Sequence, residues 1–264
     1  MAERTDQTPN LFKSIHKVFE TLFLTTGGIA LLFVESLSML RLSKGDIRRL
    51  LRQGLVIGVQ TAPLACLVGL FTGMIIAINI GIPLEDFGVE ERIGEPLGIS
   101  IVREFAPVFT AFIIAARVGA AMTAELGTMA VNDEIDALRA MGIRPTRFLA
   151  MPRIVSSLVL NPVLTLYSIA FSLLGGAIIS STYFSVPTHV YWDNVFGFVD
   201  FKELANGLGK ALVFGGLYSS ICVWHGLETR GGAAGVGRST TRAVVTSLTC
   251  ILLFDFILTR FMFG

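Results

Sequence analysis

The sequence predicts an all-α integral membrane protein with an N-terminal interfacial helix and five transmembrane helices. Hydrophobic residues make up 53% of the 264 residues and charged residues only 16%, and the mean hydropathy is +0.70. Soluble domains carry about one quarter charged residues, so this composition indicates a membrane-embedded chain. Several apolar runs are long enough to cross the ~30 Å hydrocarbon layer of a bilayer. The net charge of +1 gives no electrostatic reason to expect nucleic acid as a partner.

The cysteines and histidines follow no metal-binding or disulfide pattern. Cys66, Cys222 and Cys250 all lie inside apolar runs, and neither CxxC nor HExxH spacing occurs. We therefore expect no metal site and no catalytic group in this chain. The segment after Met1 is polar rather than basic and then apolar, so we expect no cleaved signal peptide.

The first 52 residues are predicted to precede the transmembrane domain. Residues 1–10 are polar and are predicted to form a disordered tail, followed by an interfacial helical segment over 11–52. The Thr25-Thr26-Gly27-Gly28 segment is expected to break this helix. A spanning helix is the alternative, but it would place Lys13 and Lys17 outside, against the positive-inside rule.

Residues 53–264 are predicted to form a five-helix transmembrane domain. The predicted spans are residues 54–82, 101–130, 154–181, 203–226 and 243–262. Arginines concentrate in the segments before the first span, after the second and after the fourth, whereas the loops 83–98 and 182–201 are poor in Lys and Arg. By the positive-inside rule, the N-terminus is cytoplasmic and the C-terminus lies on the opposite side.

The stretch 101–145 combines a helix rich in small residues with a short polar helix. Small residues recur at every fourth position of the second span, a pattern that lets helices pack closely in lipid. One row is Ala111, Ala115, Gly119, Thr123 and Gly127, and a second is Ala116, Ala120, Ala124 and Thr128. After Asn132 the sequence DEIDALRAM predicts a short amphipathic helix that ends at Gly142. That helix is either a surface turn or a docking element for a cytosolic partner.

Ionisable residues inside spans are costly and are therefore candidate functional residues. Counting residues from the span ends places four of them in the outer third of the membrane, together with one amide. They are Arg103, Glu104, Lys210 and Asp255, with Asn79 at a similar depth. One interpretation is a pair of buried salt bridges, Lys210 with Asp255 and Arg103 with Glu104. The other is a water-accessible cavity that takes an anionic head group.

The segment Gly232–Ser239, with the sequence GAAGVGRS, is close to a phosphate-binding loop, except that Arg238 replaces the lysine. Such a loop needs a preceding strand and a following helix. Here the flanking segments are membrane spans. We interpret the segment as a flexible cytoplasmic loop whose polar residues cap the last helix, and we expect the chain to have no ATPase of its own.

Three segments resemble the MlaE family of ABC-transporter permeases. They are VREFAPVFTAFIIAARVGAAMTAELGTMAVNDEIDALRAMGIRP, GVGRSTTRAVV and DFILTRFMFG. The resemblance implies a non-enzymatic, homodimeric permease in the bacterial inner membrane, with a periplasmic C-terminus. It would move glycerophospholipids between that membrane and periplasmic carriers and maintain the lipid asymmetry of the outer membrane.

The same resemblance implies partners and site residues. The partners are a second copy of the chain, a cytosolic ABC ATPase that binds ATP and Mg²⁺, a small STAS-domain protein and a periplasmic hexamer of MCE-domain lipid-binding subunits. Lipid-binding residues would be Arg103, Glu104, Lys210, Asp255, Asn79, Ile76, Leu84 and Phe87. The coupling helix over 133–142 would contact the ATPase through Glu134, Ile135, Asp136, Leu138, Arg139, Met141 and Gly142.

Two other functions stay open from the residues alone. A proton-coupled secondary transporter of lipids or small molecules could use Glu104 or Asp255 as its relay, but it would need inverted repeats, which the sequence does not show. A non-transporting membrane scaffold would only anchor partners. A co-purifying ATPase with bound lipid, dependence on a proton gradient, or neither, would distinguish the three.

Overall fold

The structure, a computed structural model, describes residues 11–40 and 44–263, and all regular secondary structure in these ranges is helical. Five helical runs are long and apolar enough to cross a membrane, which confirms the predicted fold class. They are Gly45–Asp86, Glu90–Val131, Thr146–Thr182, Phe201–Leu227 and Gly232–Met262. A shorter apolar helix, Phe23–Ser38, precedes them. The predicted tail at residues 1–10 lies outside the described residues.

Ten α-helices and four other helical turns make up these ranges. The α-helices are α1 (Leu11–Ser38), α2 (Lys44–Asp86), α3 (Gly94–Ser100), α4 (Ala106–Ile114), α5 (Ala120–Val131), α6 (Glu134–Ala140), α7 (Met151–Thr182), α8 (Thr188–Phe198), α9 (Phe201–Leu227) and α10 (Gly232–Phe263). Wider π-helical turns occupy Ile101–Phe105, Ala115–Gly119 and Thr146–Ala150, and a 3₁₀ turn occupies Glu90–Arg92. We name the two ends of the bundle after the short helices there, the α6 end and the α8 end.

Helix α1 is continuous through the Thr25-Thr26-Gly27-Gly28 segment, so the predicted break is wrong. The reason is packing, because Gly28 makes room for the indole of Trp224 on α9. A Cβ at Gly28 would lie 2.2 Å from that ring. Further along α1, Leu32 packs into the apolar cluster at the α6 end with Leu149 and Ile154. The interfacial placement of α1 stays a prediction.

Two glycine pairs of the first span, Gly54 with Gly58 and Gly69 with Gly73, face α7. A Cβ at Gly73 would lie 1.8 Å from the carbonyl oxygen of Ser172, and one at Gly69 would lie 2.8 Å from that of Ser168. The Ser172 hydroxyl donates a hydrogen bond of 2.9 Å to Gly69 O. Helices α2 and α7 therefore touch backbone to backbone, as small-xxx-small spacing favours in membranes.

The first row of small residues packs against α9. Ala111, Ala115 and Thr123 are fully buried. A Cβ at Gly119 would lie 2.7 Å from Cys222 Sγ, and the Thr123 hydroxyl donates to Cys222 O at 2.9 Å. The second row lies at or near the surface of the chain, with Ala116 and Thr128 exposed and Ala120 and Ala124 half-buried.

Two predicted loops at the α8 end are partly helical. The loop 83–98 contains the 3₁₀ turn and the start of α3, and the loop 182–201 contains α8. Tyr191 of α8 is fully buried, and its hydroxyl donates to Leu173 O at 2.9 Å. Burial raises the pKa of this phenol, which keeps its proton for that bond. Gly94 of α3 fits against the Tyr191 backbone, so α3 and α8 close this end together.

The segment Gly232–Ser239 forms the first turns of α10, so the prediction of a flexible loop is wrong. A Cβ at Gly235 would lie 2.0 Å from Arg230 O, so the glycine lets the turn before α10 fold back on the helix. Helix α9 precedes this turn, whereas a phosphate-binding loop follows a strand. Helix α2 begins at Lys44 rather than near Gly54, so the basic residues that precede the predicted first span are also helical.

Gly73→Ala should destabilise the protein by roughly 1–3 kcal/mol, because the new methyl group meets the α7 backbone, which cannot move aside cheaply. Thermal unfolding of the purified protein in detergent measures the effect. Gly27→Ala is the matched control, because nothing lies within 4 Å of a Cβ at that position of α1. Equal unfolding temperatures for the two variants would contradict backbone contact between α2 and α7.

Candidate functional site

An ionic cluster lies inside the α8 half of the bundle, around Lys210 of α9. Its Nζ atom is 2.7 Å from Glu104 Oε2, 2.9 Å from Asp255 Oδ1 and 2.6 Å from Thr259 Oγ1. The Thr259 hydroxyl lies 3.0 Å from Glu104 Oε1, to which it donates. We call Lys210, Glu104, Asp255 and Thr259 the lysine cluster. It joins three elements, the π-helical turn Ile101–Phe105, α9 and α10.

A second ion pair adjoins the lysine cluster in sequence. Arg103 donates to both carboxylate oxygens of Glu203, from Nε at 2.5 Å and from Nη2 at 2.7 Å. The predicted salt bridge between Arg103 and Glu104 is therefore wrong, whereas that between Lys210 and Asp255 is present. Arg103 and Glu203 lie on different elements, so the guanidinium can meet the carboxylate in a planar, bidentate geometry. Arg103 and Glu104, which are adjacent in one helical turn, are less suited to that geometry.

One glycine brings both ion pairs together. Glu203, Gly207 and Lys210 are spaced by four and three residues, so they share a face of α9. A Cβ at Gly207 would lie 2.3 Å from Val102 O in the π-helical turn. The missing side chain therefore allows α9 to approach the turn that carries Arg103 and Glu104.

Charge and burial are unevenly distributed over the lysine cluster. Two carboxylates surround one ammonium, and Lys210 is fully buried while the Glu104 side chain is 34% exposed. Three acceptors already lie around the three N–H groups of the ammonium. Any anion that binds Lys210 must therefore displace a carboxylate or the Thr259 hydroxyl. Glu104 is the more accessible carboxylate, because the Asp255 side chain is only 18% exposed.

The other predicted lipid-binding residues do not join these ion pairs. Asn79 is exposed, and its one hydrogen bond within the described ranges goes to Ile75 O of its own helix at 2.9 Å. Ile76 is buried in the apolar core of the α8 half. Leu84 borders a separate cavity of about 440 Å³ at the α8 end, beside Arg92 and Glu95. Phe87 is 81% exposed.

The sequence did not indicate Glu203 and Thr259 as site residues. Glu203 stands at the first residue of the predicted fourth span, where a carboxylate resembles part of the acidic outer loop. Thr259 follows Asp255 by one helical turn, and that spacing is the signal that could have found it. Among the described residues, no group of His, Cys, Asp and Glu side chains has metal-binding geometry.

At the opposite end, α6 is fixed to the bundle by Ile135, and a cap at Gly142 ends the helix. Ile135 is 4% exposed and packs with Leu126 and Leu149, while Leu138 is half-buried beside them. Gly142 has φ +73°, and the amides of Ile143 and Gly142 donate to Leu138 O and Arg139 O, a Schellman cap. The helix is thus held in one orientation relative to α5 and α7.

The outward face of α6 is mainly acidic. Glu134, Asp136 and Arg139 are exposed, as is Met141 with 65% exposure. Asp136 and Arg139 form a surface ion pair at 2.7 Å, which contributes little to stability. Of the predicted coupling residues, Ile135 is therefore an internal anchor, and the charged residues and Met141 are available to a partner.

Lys210→Met should lower the free energy of unfolding by roughly 3–5 kcal/mol, because two carboxylates would lose their buried cation. Unfolding of the purified protein in detergent gives the value. The variant Glu104→Leu, Lys210→Met, Asp255→Leu should recover most of the loss, because it removes the whole charge set. A single variant as stable as the parent would show that the cluster contributes nothing to folding.

Five apolar helices that enclose ion pairs, with a short amphipathic helix between two of them, define a multi-pass membrane protein. The chain belongs to the MlaE family of ABC-transporter permeases, since the family description Permease MlaE matches residues 50–261.

Three relatives support this assignment. The chain is 37% identical over 238 residues to a probable ABC transporter permease protein of Synechocystis, covering 89% of this chain and 90% of that protein. It is 32% identical over 228 residues to the intermembrane phospholipid transport system permease protein MlaE of Haemophilus influenzae, covering 84% and 87%. It is 34% identical over 239 residues to the chloroplastic protein TRIGALACTOSYLDIACYLGLYCEROL 1 of Arabidopsis thaliana, covering 89% and 68%.

Proposed function

We propose that this chain is the membrane permease through which an ABC transporter moves glycerophospholipids between the bacterial inner membrane and periplasmic MCE-type carriers. The observation that carries the proposal is one helical run, Glu90–Val131, which contains two π-helical turns. Arg103 and Glu104 lie in its first half, and α6 follows directly after its other end. A single helical run thereby connects a charged site with an exposed helix suited to a motor protein.

The ion pairs at the α8 end suit the phosphate of a lipid head group. Arg103 presents a planar fork, the geometry that recognises phosphate, and its side chain is 32% exposed. A lipid phosphate would exchange with the Glu203 carboxylate on Arg103, and with Glu104 on Lys210. The core residues beside them, such as Ile76 and Val102, are buried, so the helices would have to separate to admit the acyl chains.

The acidic face of α6 suits a basic groove on a cytosolic ATPase, which would bind ATP and Mg²⁺ itself. Because Ile135 packs against Leu126 of α5, displacement of α6 would be passed to α5. This assignment places the α6 end and the N-terminus in the cytoplasm, and the α8 end and the C-terminus in the periplasm.

The remaining partners follow from the family. The exposed second row of small residues would give a second copy of the chain a smooth face to pack against. A small STAS-domain protein would bind with the ATPase, and a hexamer of MCE-domain subunits would receive or deliver lipid at the α8 end. Their joint role would be to maintain the lipid asymmetry of the outer membrane.

Arg103→Gln should reduce lipid transfer by roughly ten-fold or more, because a charged hydrogen bond to phosphate is lost. Transfer of fluorescent phospholipid between proteoliposomes and the purified carrier measures it. Arg103→Lys should give a transfer rate between those of the parent and Arg103→Gln, since lysine keeps the charge but lacks the bidentate guanidinium. Lys202→Gln is the control, an exposed cation at the same end of α9. Unchanged transfer in a folded Arg103→Gln complex would contradict a role in lipid binding.

Glu134→Lys should abolish co-purification of the ATPase, because it reverses the charge of the exposed α6 face. Leu138→Asp should do the same by loosening α6 from the bundle. Glu85→Lys makes the same charge change at the α8 end and should leave the complex intact. If the ATPase stays bound to both α6 variants, docking must occur elsewhere.

A proton-coupled transporter is the second candidate, favoured by the excess carboxylate in the lysine cluster. Proteoliposomes separate the two mechanisms. Transfer that needs ATP and ignores an imposed pH gradient supports the ABC permease. Transfer that follows the gradient without ATP supports the proton-coupled mechanism.

A further inference from the structure

A basic cavity lies at the α6 end, away from both ion pairs discussed above. Its volume is about 680 Å³, within the range of small-molecule binding sites. It is enclosed by the end of α1, the start of α2 and the turn that follows α6. Three arginines line it, Arg49, Arg144 and Arg147, together with the ring of Phe148.

Two of these arginines are held in place by other side chains. Arg147 Nη2 lies 3.0 Å from Asp46 Oδ2, and Arg49 Nη1 lies 3.6 Å from Asp46 Oδ1. The Arg49 guanidinium also stacks over Phe148, with Cζ 4.2 Å from the ring centroid. Because Asp46 is buried, it fixes both guanidinium groups at the cavity wall at little entropic cost on binding.

The cavity keeps a positive charge after these contacts. Three guanidinium groups against one carboxylate leave a formal charge of +2 on Arg49, Arg144, Arg147 and Asp46. Arg144 is exposed and has no ion-pair partner within residues 11–40 and 44–263. The cavity therefore offers one unpaired cation and two oriented ones to an anion.

Apolar helix surface adjoins the cavity. Leu37 on α1 and Leu40 just after its end are 38% and 40% exposed, and Ile47 and Leu51 on α2 are 41% and 66% exposed. A basic site beside exposed apolar side chains at the end of membrane helices matches the two halves of an acidic lipid.

We propose that this cavity binds the phosphate of an acidic phospholipid in the membrane leaflet at the α6 end. Arg144 and the two oriented arginines contact the phosphodiester, and the acyl chains lie along the exposed faces of α1 and α2. The site is distinct from the transport site at Arg103 and Lys210. It does not depend on the proposed direction or substrate of transport.

The neighbouring charges argue against an acidic protein segment as the occupant. The turn that lines the cavity follows α6, and α6 exposes an acidic face that includes Glu134 and Asp136. A partner that complements this face is basic there, and the cavity arginines repel it. A lipid head group lies beside α6 without covering it, so both can be occupied together.

Lipid binding to the purified permease tests the proposal. Native mass spectrometry of the full chain, titrated with phosphatidylglycerol or phosphatidylcholine, gives the affinity for each lipid. We expect the parent protein to bind phosphatidylglycerol more tightly than phosphatidylcholine. The affinity for phosphatidylglycerol should fall about five-fold in Arg144→Gln, since each surface arginine contributes on that order. Arg144→Lys should keep most of the affinity, and Arg238→Gln, an exposed arginine outside the cavity, should keep all of it.

Further arms assign the site and the source of the phosphate. Arg103→Gln should leave the preference for phosphatidylglycerol intact. If Arg103→Gln removed the preference and Arg144→Gln kept it, the proposal would be overturned. Millimolar inorganic phosphate should not displace the lipid, and full displacement would indicate a free-anion site instead. Equal affinity for the two lipids would also overturn it. So would loss of the ATPase from Arg144→Gln without any change in lipid binding, since an acidic protein segment would then be the occupant.

Discussion

The buried ammonium of Lys210 is the constraint on which the α8 half of the bundle depends. A lone cation in hydrocarbon costs several kcal/mol, so it is tolerable only with partners in fixed positions. Glu104 and Asp255 supply them from two other elements, which must therefore stay close to α9. Gly207 makes that closeness sterically possible. A charge that would otherwise destabilise the bundle thus specifies how three of its elements meet.

Much of this arrangement can be predicted from the sequence, because the position of a residue along a span gives its depth in the membrane. Counting residues from the span ends brings Glu104, Lys210 and Asp255 to one level, and the structure places them in contact. Counting does not give the direction in which a side chain points. Arg103 therefore pairs with Glu203 on another helix rather than with its sequence neighbour. The roles of all these residues in lipid binding stay predictions.

The wrong predictions of a helix break and of a loop share a physical cause. Glycine-rich and polar stretches predict them at Gly28 and Gly232–Ser239, yet both stretches are helical. Glycine weakens an isolated helix in water, but inside this bundle it gains the contact of a neighbouring ring or backbone. Trp224 fills the space that Gly28 leaves. Local propensity gave the wrong answer where tertiary contact outweighed it.

The π-helical turn Ala115–Gly119 solves a problem of helical phase. Residues four apart on an α-helix drift by about 40° per step, so four steps from Ala111 would rotate Gly127 by about 160°, to nearly the opposite face. A widened turn takes up one additional residue, which removes about 100° of that rotation. Ala111 and Gly127 are both buried as a result. An irregularity in the hydrogen bonding therefore keeps a four-residue repeat in register along a straight packing seam.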